Sequence, residues 1–298
     1  MKEEILRLKK EKNAVILSHH YQTMEVKEVS DFVGDSLELS KIAAQIDCDT
    51  IILCGVHFMA ETAKILAPTK KVFLPNSDAG CPMADMVTRE RLEEMKLQYP
   101  NAVVVTYVNS SAEVKAASDI CCTSSNAVKI VNSIDSKEIL FVPDQNLGHY
   151  VQSQCPDKTI HLWRGFCPTH HGVNAQKTIE RLEEFKGAVL FAHPECKPEV
   201  LEKAHFIGST AQIIEACKNT EEKNIIIGTE KGVVDTLERI LPDKTFHMLD
   251  DRMICKNMKK TTLEDIHRVL TEGTGEIIVD VEVASRAKNA IFMMIERS

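Results

Sequence analysis

Three apolar, β-branched runs in this chain end in polar, reactive residues and recur at a nearly constant spacing. They are Ala14-Val-Ile-Leu-Ser-His-His-Tyr21, Val103-Val-Val-Thr-Tyr-Val-Asn109 and Ala188-Val-Leu-Phe-Ala-His-Pro-Glu195. Taking Leu17, Val105 and Leu190 as equivalent gives offsets of 88 and 85 residues. A second set of strand-like runs, residues 51–55, 139–143 and 225–229, is offset by 88 and 86. A third set, starting at Val72, Ile160 and Phe246, repeats the 88 and 86. Between the first and second runs lies a small polar turn that opens a helix, with Ser36, Ser124 and Ser209 spaced 88 and 85. After each third run comes a cysteine, and Cys81, Cys167 and Cys255 stand 86 and 88 apart. Five features in register across three copies mark an internal triplication.

Short apolar runs alternating with helical segments predict parallel βαβ units whose strands are buried on both faces. Helical candidates include residues 88–98, 111–117, 175–186 and 234–241. The predicted fold is α/β, with three homologous three-layer αβα domains, short parallel sheets and a pseudo-threefold axis. Their predicted spans are residues 1–84, 85–171 and 172–260. The tail, residues 261–298, lies outside the pattern. It reads as a strand over 276–280 and a helix over 283–297, and is expected to pack on the first domain. Ligands in such sheets bind beyond the carboxyl ends of the strands. The polar residues and the cysteines all sit at those ends, so three domains around one axis bring them to a single pocket.

Charge and cysteine usage narrow the chemistry. The net charge of −8 and the lack of a basic stripe argue against nucleic acid. No run reaches the roughly 18 apolar residues that a membrane span needs. The first twelve residues carry acids and read as an amphipathic helix rather than a targeting segment. The expectation is therefore a cytoplasmic protein in a reducing compartment, where its ten cysteines do not form disulfides. No Cys-x-x-Cys occurs, so a metal site must be assembled from residues far apart in sequence. Cys48, Cys54, Cys121, Cys122, Cys196 and Cys217 read as small buried apolar residues. Cys155, which precedes a proline, is a further candidate thiol.

Three thiolates from three domains can hold zinc or an iron–sulfur cluster. A zinc site would recruit a fourth ligand, and His170 and His171 stand near Cys167. Electron carriers close a cluster with four cysteines. Three leave one iron free to act as a Lewis acid. The other pocket candidates are His19, Tyr21, Tyr107, Asn109, His171, His193 and Glu195. His193 and Glu195 lie two apart on an extended strand and point to one side, so one can orient the other for proton transfer. His57, His149, His161, His205, His247 and His267 read as structural. Alternation turns His20 away from His19.

Long motifs in a fixed order add a family resemblance. They include Ser18-His-His-Tyr-Gln22, Val33-Gly-Asp-Ser-Leu-Glu-Leu-Ser40, Val56-His-Phe-Met-Ala-Glu-Thr62 and Ala79-Gly-Cys-Pro-Met-Ala-Asp85. Thr106-Tyr-Val-Asn-Ser110, Cys122-Thr-Ser-Ser-Asn-Ala127, Phe141-Val-Pro-Asp-Gln-Asn-Leu-Gly148, Phe166-Cys-Pro-Thr-His-His171, His193-Pro-Glu-Cys196 and Gly208-Ser-Thr-Ala211 continue the series. Over essentially its full length the chain resembles the quinolinate synthases. The resemblance implies an enzyme that condenses iminosuccinate (iminoaspartate) with dihydroxyacetone phosphate. It releases phosphate and two waters and forms quinolinate, a precursor of NAD. It further implies a [4Fe–4S] cluster on Cys81, Cys167 and Cys255, and an enzyme partner that supplies iminosuccinate. Substrate-binding positions map to His19, Ser36, Tyr107, Asn109, Ser124, His193, Glu195 and Thr210, with Tyr21, His171 and Ser209 lining the same pocket. Tyr21, Tyr107, His193 and Glu195 form the expected catalytic set. The chain departs from the family's usual pattern at His20, commonly tyrosine, and at Lys256, commonly proline. A different [4Fe–4S] hydro-lyase, a non-catalytic cluster carrier or sensor, and a zinc hydrolase remain alternatives on the residues alone.

Overall fold

The structure is a computed structural model and describes residues 1–298. Each copy of the repeat forms one four-stranded, all-parallel sheet. The first holds β1 (Ala14–His19), β2 (Phe32–Gly34), β3 (Thr50–Cys54) and β4 (Lys71–Phe73), in the order β2-β1-β3-β4. The second holds β5 (Val103–Tyr107), β6 (Ile120–Cys122), β7 (Glu138–Val142) and β8 (Thr159–Leu162). The third holds β9 (Val189–Ala192), β10 (Phe206–Ile207), β11 (Asn224–Gly228) and β12 (Thr245–Met248). Both repeat the strand order of the first. Three strands per copy were expected. The fourth, at the sheet edge, comprises only two or three residues, too short to show an alternating pattern.

Side-chain alternation builds the layers. Along β1 and β3, Ile16, Ile52 and Cys54 face an outer cluster, while Leu17, Ile51 and Leu53 face a central one. In the second sheet Val104 and Leu140 face outward, and Val105, Ile139 and Phe141 inward. In the third, Leu190 and Ile226 face outward, and Phe191, Ile225 and Ile227 inward. The inner faces of all three sheets share one apolar core, and each outer face has its own. Leu190 is therefore not the partner of Leu17 and Val105. Phe191 is, because a one-residue slip turns a side chain to the opposite face. The offset between the second and third copies is then 86 residues for all three sets of runs.

Helices complete the layers. In the first unit they are α1 (Lys2–Glu11), α2 (Met24–Val29), α3 (Ser36–Gln45) and α4 (His57–Leu66). In the second they are α5 (Arg89–Gln98), α6 (Ala112–Ala116), α7 (Ala127–Asn132) and α8 (Gln145–Gln154). The short α9 (Pro168–His171) follows Cys167 at the end of the second unit, and the third has α10 (Ala175–Glu184), α11 (Pro198–Leu201), α12 (Thr210–Asn219) and α13 (Lys231–Ile240). The tail forms α14 (Leu263–Glu272) and α15 (Val281–Glu296). Helix α14 lies on α1, whereas α15 lies on α6 and β6 of the second unit and on α4. Glu276 makes a single antiparallel bridge to Phe73 at the edge of β4.

The pseudo-threefold axis is visible in the contacts between units. The helix after each first strand docks on its neighbour's helix after the third strand: α2 on α13, α6 on α4 and α11 on α8. Two of these contacts use the same lysine position, Lys27 and Lys115, 88 residues apart. Lys27 Nζ donates to the Gly232 carbonyl at 2.8 Å and to Thr236 Oγ1 at 2.7 Å. Lys115 is fully buried; its ammonium donates to the Ser110 carbonyl and sits 5.4 Å from the Phe58 ring centre. At the third contact Val200 and Leu201 pack with Tyr150 instead.

Truncating Lys115 removes a filled volume and leaves the Ser110 carbonyl unpaired. Lys115→Ala should cost about 3 kcal/mol, read as a lower urea midpoint at unchanged slope. An unchanged midpoint would show that the α6–α4 contact does not secure the first unit to the second.

Candidate active site

The carboxyl ends of the strands surround one cavity of about 420 Å³. First-strand ends supply its wall in pairs two residues apart: His19 and Tyr21, Tyr107 and Asn109, His193 and Glu195. Ser36 and Thr210, at the starts of α3 and α12, and Ser124, before α7, add hydroxyls, and Cys81, Cys167 and Cys255 supply the thiols. Twelve of the fourteen residues singled out in the sequence thus line one space.

The other two stand behind it. Ser209 is the N-cap of α12, and its Oγ donates to Asp35 Oδ2 at 3.2 Å, joining the third unit to the first. His171 stacks on Phe166, with ring centres 4.3 Å apart, and meets Asn146 Nδ2 at 3.0 Å. His170 takes the cavity position instead. Ser36 does not cap its helix. Asp35 does, accepting from the Leu37 and Glu38 amides at 3.0 and 3.1 Å. The structural partner of Ser36 is therefore Thr210, each being the first residue of its helix. Ser124 lies in the loop before α7, whose N-cap is Asn126. Among the remaining histidines, His20 Nε2 faces Glu38 Oε2 at 3.7 Å, away from the cavity.

The backbone fixes the orientation of two imidazoles. The Tyr21 amide donates to His19 Nδ1 at 3.1 Å, and the Glu195 amide donates to His193 Nδ1 at 3.3 Å. An accepting Nδ1 leaves the proton of a neutral ring on Nε2. Burial drives His193 down to about 3 and holds His19 well below its ordinary value, so both rings are neutral donors.

A buried hydrogen-bonded chain joins the acid–base candidates. Thr210 Oγ1 meets Tyr21 OH at 3.1 Å, and Tyr21 OH meets Thr229 Oγ1 at 2.9 Å. Thr229 Oγ1 meets His170 Nε2 at 2.9 Å, and His170 Nδ1 meets Glu195 Oε2 at 2.7 Å. Tyr107 OH donates to Glu195 Oε1 at 2.8 Å. Burial works against the Glu195 anion, but the neighbouring imidazoles and these hydrogen bonds outweigh it and hold the carboxyl below its usual range. Burial and the Glu195 charge push both phenols well up, so Tyr21 and Tyr107 keep their protons. From the sequence His170 was a candidate only as a zinc ligand, and Thr229 and Asp35 were not picked. Thr229 closes the second strand-like run of its copy, and Asp35 lies inside a quoted motif, so both carried a positional signal.

The thiols fit a metal centre. Seven cysteines are buried, and the three that are not are Cys81, Cys167 and Cys255. Backbone N–H groups of Ala84 and Met83 face the Cys81 sulfur, and those of Met258 and Asn257 face Cys255. Such donors stabilise thiolates. Without a cation, burial and the charge of Cys255 push the Cys81 thiol up to about 12, and Cys167 rises well above its ordinary value. A second donor group overlaps this one: ligand atoms of Cys167, His170 and Glu195 lie within 4.8 Å of one another.

A family model described as quinolinate synthetase A protein matches residues 3–296. The chain belongs to this family. It is 52% identical to a quinolinate synthase of Alkaliphilus metalliredigens, with 99% of this chain and 98% of that protein aligned. It is 50% identical to one from Geobacter sp. strain M21 and 47% identical to one from Clostridium perfringens strain 13, each with 97% of the relative covered. Full-length likeness of this degree makes the chain an enzyme of the quinolinate synthase type. No helix is long and apolar enough to cross a membrane.

Thr229→Val keeps the volume of Thr229 but removes the hydroxyl that joins Tyr21 to His170. It should lower stability by about 2 kcal/mol, measured by urea unfolding. A wild-type midpoint would mean that the chain from Thr210 to Glu195 is interrupted at Thr229.

Proposed function

We propose that this chain condenses iminosuccinate with dihydroxyacetone phosphate to quinolinate, releasing phosphate and two waters, as a step toward NAD. One observation carries the proposal: the only three cysteines that are not buried meet at a cavity lined by three pairs of polar strand ends. Cys81, Cys167 and Cys255 would hold a [4Fe–4S] cluster. When bound, that cluster supplies a Lewis-acidic iron for carbonyl, hydroxyl or carboxylate oxygens. Iminosuccinate is an unsubstituted imine that water hydrolyses. We therefore expect its supplier in the same compartment, the cytoplasm.

The chain's own groups meet the remaining needs of the reaction. Both substrates are anionic, and the Nε2–H groups of His19 and His193 donate to their oxygens. Ser36, Asn109, Ser124 and Thr210 add neutral donors around the same space. Val56, Phe58, Met83 and Met258 are apolar parts of the lining that exclude water, which strengthens those hydrogen bonds. Enolisation and two dehydrations need a base and an acid. Glu195, ionised and anchored by Tyr107 and His170, is the base. Tyr21, still protonated, is the acid. Thr229 and His170 connect the two, so a proton taken at Glu195 can be returned at Tyr21 without bulk water.

A single divalent metal on Cys167, His170 and Glu195 is the one competing arrangement that the geometry favours. It uses one thiol of the three and occupies the base. Acid-labile sulfide separates the two, because only a cluster contains it.

Chain purified without oxygen should contain iron and sulfide in equal amounts and be brown. Cys81→Ser, Cys167→Ser and Cys255→Ser should each lose both, whereas Cys217→Ser should keep them. A colourless protein with one zinc would reject the cluster. Glu195→Gln and Tyr21→Phe should each slow quinolinate formation by about 10²-fold or more while the absorption spectrum stays unchanged. Turnover at the wild-type rate by either variant would remove that residue from its role.

A further inference from the structure

The helix after the third strand of each unit begins with the same contact. The backbone N–H of its first residue, His57, Gln145 or Lys231, donates to the carbonyl of Ala79, Gly165 or Met253, at 2.8, 2.8 and 2.9 Å respectively. Each carbonyl stands two residues before a cavity cysteine. In all three units, therefore, a helix start grips the loop that carries the thiol.

In two units a buried carboxylate doubles the grip. Asp144, the N-cap of α8, accepts from the Leu147 amide at Oδ1, 2.8 Å, and from the Cys167 amide at Oδ2, 3.0 Å. Glu230, the N-cap of α13, accepts from the Gly232 amide at Oε2, 2.6 Å, and from the Cys255 amide at Oε1, 3.2 Å. Both side chains are completely buried, at 0% exposure. They are equivalent positions, 86 residues apart. The first unit has Val56 there, and the Cys81 amide has no hydrogen-bond partner within the chain. Glu230 also pairs with Lys259 Nζ at 3.1 Å, and that ammonium reaches the Tyr21 carbonyl. The third unit's clamp is thereby tied to the loop bearing the acid candidate of the first.

We propose that Asp144 and Glu230 are positioning residues that set the directions of the Cys167 and Cys255 thiols, while Cys81 is held by backbone alone. A carboxylate suits this task because it only accepts and has two oxygens. One oxygen caps the helix and the other takes the cysteine amide. An Asn or Gln side chain has one accepting oxygen and turns an NH₂ toward one of the two amides. The Cys167 and Cys255 loops are then the rigid ones, and the Cys81 loop is the one free to adjust. The proposal rests on reading the three cysteines as ligands.

The test uses the full chain, reduced and stripped of metal. Iodoacetamide is pulsed under native conditions, and each cysteine is quantified by peptide mass spectrometry. Asp144→Asn should raise labelling of Cys167 about fivefold, the loosening expected for one lost hydrogen bond, with Cys81 and Cys255 unchanged. Glu230→Gln should do the same for Cys255 alone. Asp144→Glu, the residue the third unit already uses, should restore Cys167 toward the wild-type rate. Hydrogen exchange on the unaltered chain gives a readout independent of folding defects: the Cys167 and Cys255 amides should exchange more slowly than that of Cys81. Labelling that rises equally at all three thiols, or at none, overturns the proposal, as do three amides exchanging alike. The ligand assignment fails separately, if Cys81→Ser retains full iron and sulfide.

Discussion

Each sheet of this protein can bury its inner face only against the other two. Leu17, Val105 and Phe191, from three first strands, belong to one apolar core, together with Ile51, Ile139 and Ile225 from three central strands. Burying a side chain of this size contributes about 1.5–3 kcal/mol. A single polar contact between units, such as Lys27 to the Gly232 carbonyl, contributes about 1 kcal/mol. The shared core therefore sets how the units are arranged, and the polar contacts refine their angles. With parallel strands gathered round one axis, the carboxyl ends of all three first strands must converge. The position of the cavity follows from apolar burial before any catalytic residue is chosen.

Much of this was legible because period-2 alternation and a repeat both survive in the residues. His19, Tyr21, Tyr107, Asn109, His193 and Glu195 stood out as polar residues at the ends of the first runs, although the third run was aligned one residue out of register. Other features left no such trace. Strands of two or three residues, such as β10 (Phe206–Ile207), cannot display a period. The loop-gripping contacts of His57, Gln145 and Lys231 use backbone atoms alone, so they impose no residue type. The choice between His170 and His171 depended on a single turn. Pro168 starts a four-residue helix directly after Cys167. Residues three apart in a helical turn face one another, which brings His170 Nδ1 to 3.2 Å from the Cys167 sulfur. The next position turns out toward Phe166. Some repeated residues were present but unused. Lys70, Lys158 and Lys244 lie 88 and 86 apart. Their ammonium groups reach the carbonyls of Ile46, Ser136 and Cys217.

Threefold repetition also constrains the chemistry it can support. A position duplicated in three units yields three equivalent donors and no fourth, so a thiol set built this way has three members. In the proposed reading, that count is what leaves a place for substrate. Catalysis needs the opposite property, because acid and base must differ. The strand ends meet this need by diverging: the second member of each pair is Tyr21, Asn109 or Glu195. Glu195 is the only carboxylate among them, and it recruits His170 from beside a cysteine of the preceding unit. The buried caps diverge likewise, with Asp144 in the second unit, Glu230 in the third and Val56 in the first. The backbone contacts that shape the cavity are the same three times over. In the proposed reading, the side chains that distinguish acid, base and rigid ligand loop are those in which the copies differ.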